Sequence, residues 1–228
     1  MQIGILTYHE GLNHGAYLQA LAIMRIIEKL GHDVTIINYK NKEHWLQEDV
    51  RPWMAYRRPI RFVDRFKKQR AFKEDHKQFN LTPFTKDPIK IHDWIFDIVI
   101  VGSDVVWNYK IFGYDPVYFG DFNANKKISY AASSGWVNDG ESHPEGMAKG
   151  LRSFDAISVR DENTRNIVKD ATGKNTPIVL DPTLLYNFST DEIMTKRISE
   201  IGDYLLVYAY ITDEDMIKKI KKIAVSRG

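Results

Sequence analysis

Short apolar runs alternate with longer segments of helical periodicity along this chain. The predicted strands are 3–7, 34–37, 97–101, 128–132, 156–159 and 177–180. The predicted helices that accompany them include 15–30, 144–154 and 162–170. Because strands and helices alternate in this way in doubly wound α/β folds, the pattern predicts a Rossmann-like domain with a parallel sheet.

The strongest apolar run, 97–101, is followed at once by Gly102, Ser103 and Asp104. An α/β sheet binds its ligands outside the carboxyl ends of its strands, where these three residues would lie. The glycine would let a ligand approach the backbone, and the hydroxyl and carboxylate would offer polar contacts. The alternative is an ordinary strand-to-helix turn in which Asp104 caps the helix.

Two other predicted strands also end in polar residues. Ser133 and Ser134 follow the run 128–132, and Arg160 follows the run 156–159. An arginine at this edge could bind a carboxylate or a phosphate through two parallel hydrogen bonds. The alternative is an ion pair with Asp161 or another nearby acid.

The loop before the first helix reads Y-H-E-G-L-N-H-G-A and lacks the G-x-G-x-x-G pattern of a dinucleotide-binding turn. Asn38 and Tyr39 stand at the end of the second strand, where such a site needs an acid. The sequence therefore argues against NAD or FAD. Asn13 and Gly15 open a helix whose N-terminus could receive an anion, or Asn13 could be a plain helix cap.

Residues from about 40 to 82 form a basic, aromatic insert between the second and third strands. Positions 40–80 hold 12 Lys and Arg against 6 Asp and Glu, which leaves −4 for the rest of a chain with net charge +2. Aromatic residues recur there at spacings of three or four, which predicts amphipathic helices. The insert is either a helical excursion with solvated charges or a cover for an anionic substrate or lipid surface. Nucleic acid is not expected as a partner, because no binding motif is present.

Composition excludes several classes of protein. The chain has 228 residues, no cysteine, and 43% hydrophobic against 27% charged residues, which is typical of a globular domain. Disulfides and thiolate chemistry are excluded, and no cluster of ligand residues predicts a metal site. Without a signal peptide or an apolar run of about 20 residues, the expected location is cytoplasmic, with at most peripheral membrane association.

The end of the chain predicts a helix at 189–201, a strand at 204–211 and a helix at 213–225. One strand and one helix cannot bury both faces of a sheet. We therefore expect residues 1–202 to form the Rossmann-like domain and 203–228 to begin a second, truncated α/β domain.

Five segments together resemble the polysaccharide pyruvyl transferase family, in the order that the family has them. They are I-L-T-Y-H with N-H-G-A-Y-L-Q-A, I-V-G-S-D-V-V-W-N, I-S-Y-A-A-S-S-G, F-D-A-I-S-V-R-D and V-L-D-P-T-L-L. The chain departs from the common form G-S-D-Q-x-W-N at Val105, which replaces a polar glutamine. The departure removes any side-chain contact that the glutamine would make.

The resemblance implies a two-lobed fold of the glycosyltransferase-B type with the active site between the lobes. It implies that phosphoenolpyruvate, as co-substrate and without a further cofactor, gives its pyruvyl group to two hydroxyls of one sugar as a cyclic ketal. The acceptor would be a bacterial cell-surface glycan or its lipid-linked precursor. Arg160 matches an arginine of the family's donor site, whose later Arg and His would lie beyond Gly228. The chain alone is therefore expected to be inactive.

The candidate site combines the strand ends with the matched segments. Arg160 is assigned to the donor and Asp104 to orienting or deprotonating the acceptor hydroxyl. The residues assigned to substrate binding are Asn13, Gly15, Gln19, Gly102, Ser103, Ser133 and Ser134. Two alternatives stay open: a nucleotide-sugar-dependent glycosyltransferase of the same two-lobed fold, and a glycan-binding relative without catalysis.

Overall fold

The computed structural model describes residues 1–10, 12–54, 59–191, 204–207, 209 and 213–226. Within them, the predicted alternation of strands and helices is confirmed. The strands are β1 Gln2–Leu6, β2 Asp33–Ile36, β3 Ile98–Val101, β4 Lys126–Ala132 and β5 Ala156–Val159. Every pairing between them is parallel, so the described residues form an α/β domain with a Rossmann-like sheet.

The strand order is β2-β1-β3-β4-β5. From β1 the chain first runs outward to β2, and it then returns to place β3 on the opposite side of β1. The order therefore reverses between β1 and β3, and ligands of such sheets bind at the carboxyl ends of the strands at this reversal.

The prediction of a sixth strand at 177–180 is wrong. Ile178 forms only an isolated bridge with Val159, and Val159 donates its N–H to the carbonyl oxygen of Pro177 at 3.0 Å. Pro177 has no N–H to extend the pairing, and the chain turns away again at Pro182. The segment therefore lies beside β5 without adding a sixth strand to the sheet.

The helices flank the sheet and form most of the insert. They are α1 His14–Lys29, α2 Lys42–Trp45, α3 Arg51–Met54, α4 Pro59–His76, α5 Tyr109–Phe112, α6 Met147–Arg152, α7 Glu162–Thr172 and α8 Glu214–Ser226. A π-helical turn, Leu46–Val50, joins α2 to α3. Single 3₁₀ turns lie at Pro88–Asp93, Pro116–Phe119, Pro182–Leu184 and Phe188–Thr190. The predicted helix 144–154 is shorter than expected, because Gly146 precedes it with a φ of +90°.

The helical character predicted for the insert is confirmed in its described part. The C-terminal end of α4 and the turn after it pack on α1 through aromatic rings, with Tyr17 5.7 Å from Phe72 and 5.2 Å from Phe79 between ring centroids. The His76 ring nitrogens lie 2.7 Å from the carbonyl oxygens of Phe72 and His9. Carbonyl oxygens only accept, so the ring donates through whichever nitrogen carries the proton. His76 thus joins α4 to the loop after β1.

The described chain divides into two compact units, Met1–Tyr186 and Asn187–Gly228. In the second unit the predicted helix at 213–225 is confirmed by α8. Most of the predicted helix at 189–201 lies outside the described residues. Of the predicted strand at 204–211, residues 204–207 and 209 are described and are not in a strand. The interpretation of 203–228 as the start of a second α/β domain stays a prediction.

Candidate functional site

The loops after β1 and β3 meet at the carboxyl edge of the sheet. The Thr7 hydroxyl donates to the carbonyl oxygen of Ser103 at 2.9 Å. Gln19, buried in α1, places its Nε2 3.0 Å from Thr7 Oγ1 and 2.8 Å from the carbonyl oxygen of Tyr8. The predicted residues Gln19 and Ser103 are therefore joined through Thr7 at the point where the strand order reverses.

The turn after β3 is held in an unusual backbone conformation. The φ angles of Gly102 and Asp104 are +106° and +73°, and an added Cβ on Gly102 would lie 2.5 Å from the carbonyl oxygen of Tyr130. Only glycine fits the first position. The alternative role of Asp104 as a helix cap is wrong, because α5 begins at Tyr109 and is capped by Asn108.

Arg160 lies between two carboxylates at the end of β5. Its Nη1 donates to Asp181 Oδ2 at 2.9 Å, and its Nη2 is 3.9 Å from Asp104 Oδ1. The Ser103 hydroxyl donates to the same Asp181 oxygen at 3.2 Å. The Arg160 side chain is 29% exposed. The structure thus brings the predicted residues Ser103, Asp104 and Arg160 together around Asp181, and it leaves part of the guanidinium open to a ligand.

The two carboxyl groups beside Arg160 have pKa values shifted in opposite directions. Burial raises the pKa of Asp104, and the Val105 N–H and Arg160 offset only part of that increase. Burial alone would also raise the pKa of Asp181, but hydrogen bonds from Thr183 and Arg160 outweigh it and lower that pKa. Asp181 is therefore suited to holding the guanidinium as a carboxylate, whereas Asp104 is suited to exchanging a proton.

Ser133 and Ser134 are buried between β4 and the start of α7. The Ser133 hydroxyl donates to Asp161 Oδ2 at 2.6 Å, and its N–H donates to the carbonyl oxygen of Asp104 at 2.9 Å. The Ser134 hydroxyl is 3.0 Å from the Thr164 hydroxyl. Asp161 caps α7, so the acid that pairs with Arg160 is not Asp161 but Asp181, as the alternative of another nearby acid allowed. Both hydroxyls therefore have partners within the protein, and their assignment to substrate stays a prediction.

Asn13 and Gly15 lie in the exposed first turn of α1. The Asn13 side chain accepts from the N–H groups of Gly15 at 3.0 Å and Ala16 at 3.2 Å. These bonds are those of an ordinary helix cap, the alternative that the sequence left open. The assignment of Asn13 and Gly15 to substrate binding also stays a prediction.

Two residues of the site, Thr7 and Asp181, were not predicted from the sequence. Thr7 links Gln19 to Ser103, and Asp181 fixes Arg160. Asp181 did carry a signal, because it ends an apolar run at the carboxyl side as Arg160 does. A threonine at the end of β1 carries no comparable signal, since its partner Ser103 is 96 residues away.

A family model described as polysaccharide pyruvyl transferase matches residues 13–228. No curated protein and no solved structure matches the chain. The family model spans nearly the whole chain and includes every site residue predicted from the sequence, whereas Thr7 lies outside the matched range. The chain therefore belongs to the polysaccharide pyruvyl transferase family.

Proposed function

We propose that this protein transfers the pyruvyl group of phosphoenolpyruvate to two hydroxyls of one sugar, in a bacterial cell-surface glycan or its lipid-linked precursor. The observation that carries the proposal is Arg160, partly exposed and oriented by Asp181 at the carboxyl edge of the sheet. Phosphoenolpyruvate has a carboxylate and a phosphate, and a fixed guanidinium can bind either of them through two hydrogen bonds.

The reaction needs proton transfers as well as anion binding. Protonation of the terminal carbon of the enol gives an oxocarbenium-like centre at C2, which the first sugar hydroxyl attacks. The bond from C2 to the phosphate oxygen then breaks, and the second hydroxyl closes the ketal. The two sugar hydroxyls lose two protons in all. One replaces the proton that the terminal carbon took up to become a methyl group, and the other leaves on the released phosphate. A positioned acid and base are therefore required.

Asp104 is our candidate for the group that orients or deprotonates the acceptor hydroxyl. Its raised pKa places its proton exchange closer to neutral pH than that of an ordinary carboxyl group. In its neutral form it also removes a negative charge beside Arg160, which favours the approach of an anionic donor. The proposal includes Asn13, Gly15, Gln19, Gly102, Ser103, Ser133 and Ser134 as substrate-binding residues.

Family membership favours pyruvyl transfer over the alternative of a nucleotide-sugar-dependent glycosyltransferase. A two-lobed organisation of the glycosyltransferase-B type is part of the same proposal, supported by the parallel α/β sheet. The inactivity of these 228 residues on their own stays a prediction. We also propose a cytoplasmic location, which the absence of cysteine suits. As a separate finding, none of the helices that the structure describes is long and apolar enough to cross a membrane.

The proposal is tested by following phosphate release from phosphoenolpyruvate with the full-length protein, with and without a panel of sugars. We expect release that depends on the acceptor. Arg160→Ala should lower kcat/KM for phosphoenolpyruvate by roughly a hundredfold, or about 3 kcal/mol of transition-state binding. Arg165→Ala is the matched control, because Arg165 pairs with Glu162 on the surface of α7. Equal losses in both variants, or release that ignores the acceptor, would contradict the proposal.

A further inference from the structure

A pocket of about 340 Å³ lies between the insert and the loops that follow β1 and β2. We call it the insert pocket. Its lining includes Glu10, Lys40, Glu48, Asp49, Gln69 and Phe72. Its volume is within the range of small-molecule sites, which is about 300 to 1,000 Å³. None of the residues assigned to the donor lines it.

One buried lysine organises the polar side of the insert pocket. The Lys40 side chain is 2% exposed, and its Nζ lies 2.8 Å from Asp49 Oδ2, 2.9 Å from Glu10 Oε2 and 3.3 Å from Glu48 Oε2. A single ammonium group thus holds three carboxylates, which together have many more lone pairs than it has protons. Their remaining oxygen sites are available to a ligand that donates several hydrogen bonds.

Glu48 is held in place by Lys40 and His44 rather than by aligned hydrogen bonds. Its buried Oε2 has no hydrogen-bond partner among the described residues. His44 Nε2 is 2.9 Å away, close enough for an ion pair but not aligned for a hydrogen bond. Lys40 Nζ pairs with the same oxygen at 3.3 Å, so Glu48 presents a fixed carboxylate to the pocket.

The charges around the insert pocket select against ions. The three carboxylates are balanced by Lys40 and by two further cations of the lining, Arg65 and Lys73. Without an excess of either sign, neither an anion nor a cation is strongly favoured. Among the described residues, no three His, Cys, Asp or Glu are grouped so that they could hold a metal ion.

Apolar groups complete the lining of the pocket. Leu12, Pro52 and Phe72 offer carbon surface beside the carboxylates. A ligand that matches this lining is uncharged, donates several hydrogen bonds and has an apolar C–H face. A sugar ring has these three properties.

We propose that the insert pocket binds one uncharged sugar unit of the acceptor. The inference deepens the proposed function and rests on it, because it assigns a place to the sugar acceptor. The loop after β1 links the insert pocket to the turn that holds Asp104, because its Thr7 hydroxyl donates to the carbonyl oxygen of Ser103 at 2.9 Å and its Glu10 lines the pocket. The acceptor would thus be bound by the same loop that contacts the turn of Asp104.

Filling the pocket tests the inference directly. Gln69→Trp places a large ring in the insert pocket and keeps all three carboxylates. Ala71→Trp is the matched control, because Ala71 is an exposed residue of the same helix that does not line the pocket. Binding of glucose, galactose, mannose and N-acetylglucosamine to the full-length protein is measured by saturation-transfer NMR without phosphoenolpyruvate. We expect at least one sugar to bind the wild-type protein and Ala71→Trp alike, with at least tenfold weaker binding to Gln69→Trp.

Several outcomes would overturn the pocket assignment. They are equal sugar binding to the two tryptophan variants, no binding of any of the four sugars to the wild-type protein, and tighter binding of glucuronate than of glucose. Should Gln69→Trp fail to fold, Asp49→Asn carries the same test, with binding expected to weaken about tenfold through loss of a charged acceptor. Sugar binding that meets the expectation without any phosphate release from phosphoenolpyruvate would contradict the proposed function and leave the pocket standing.

Discussion

His9 should make the stability of the fold depend on pH. The side chain is 2% exposed at the carboxyl end of β1, and its Nδ1 lies 3.1 Å from the carbonyl oxygen of Thr7. Its Nε2 is buried without a hydrogen-bond partner in the described residues. Burial lowers the pKa of His9 to about 4, and the charge of Glu10 opposes only part of that decrease. The ring is therefore neutral in the folded protein at neutral pH.

The size of this pH dependence follows from the pKa values of His9 in the unfolded and in the folded chain. In the unfolded chain a histidine has a pKa of about 6.5, so between about pH 6.5 and about pH 4 the unfolded chain binds a proton that the folded protein does not. Lowering the pH through this range favours unfolding. The difference of about 2.5 units, at about 1.36 kcal/mol each, corresponds to about 3 kcal/mol of stability that is present at pH 7 and lost by about pH 4.

The variant His9→Asn isolates this contribution. Its amide can still donate a hydrogen bond to the carbonyl oxygen of Thr7, but it does not titrate. The free energy of unfolding of both proteins is measured by urea denaturation at several pH values between about 7 and about 4. We expect the difference between the two proteins to change by about 3 kcal/mol across this range, with the wild type losing more. A difference that does not vary with pH would refute the reasoning.

Three further substitutions test the site and the insert. Gly102→Ala should destabilise the protein by about 3 kcal/mol or more, because φ is positive and a carbonyl oxygen of β4 blocks the new methyl group. Gly140→Ala, which meets no atom within 4 Å, is its control and should change thermal stability by less than about 0.5 kcal/mol. Asp181→Asn should lower kcat/KM for phosphoenolpyruvate roughly tenfold to hundredfold through loss of the orientation of Arg160, and unchanged steady-state kinetics would remove Asp181 from that role. Lys40→Met should cost about 3 kcal/mol in urea unfolding at neutral pH, because three partly buried carboxylates lose their shared cation, and a cost that does not shrink in acid would contradict this cause.

The sequence pattern correctly predicted the limits of those strands and helices that are set by residues close by in the chain. The strand β5 has the predicted limits, Ala156 and Val159, because a short apolar run there is bounded by polar residues. The helix α7 begins at the predicted residue, Glu162, because Asp161 caps it. At β4 the strand begins two residues early, at Lys126, since pairing with β3 rather than hydrophobicity decides where it starts.

Contacts between distant segments could not be predicted in this way. The polar residues at the strand ends were found because parallel strands place their carboxyl ends at one edge. Their partners were missed, since Asp181 is 21 residues from Arg160 and Thr7 is 96 residues from Ser103. The backbone of Asp104 was also missed, because its positive φ depends on the packing of the turn against β4.

Detection of the ketal itself is the most direct test of the account. The full-length protein is incubated with phosphoenolpyruvate labelled with ¹³C at C2 and C3 and with a sugar that supports phosphate release. We expect a ¹³C-labelled methyl group and a labelled ketal carbon bonded to two oxygens of the sugar, with one phosphate released for each ketal formed. Labelled free pyruvate with an unmodified sugar, or transfer of a sugar from a nucleotide donor under the same conditions, would contradict it.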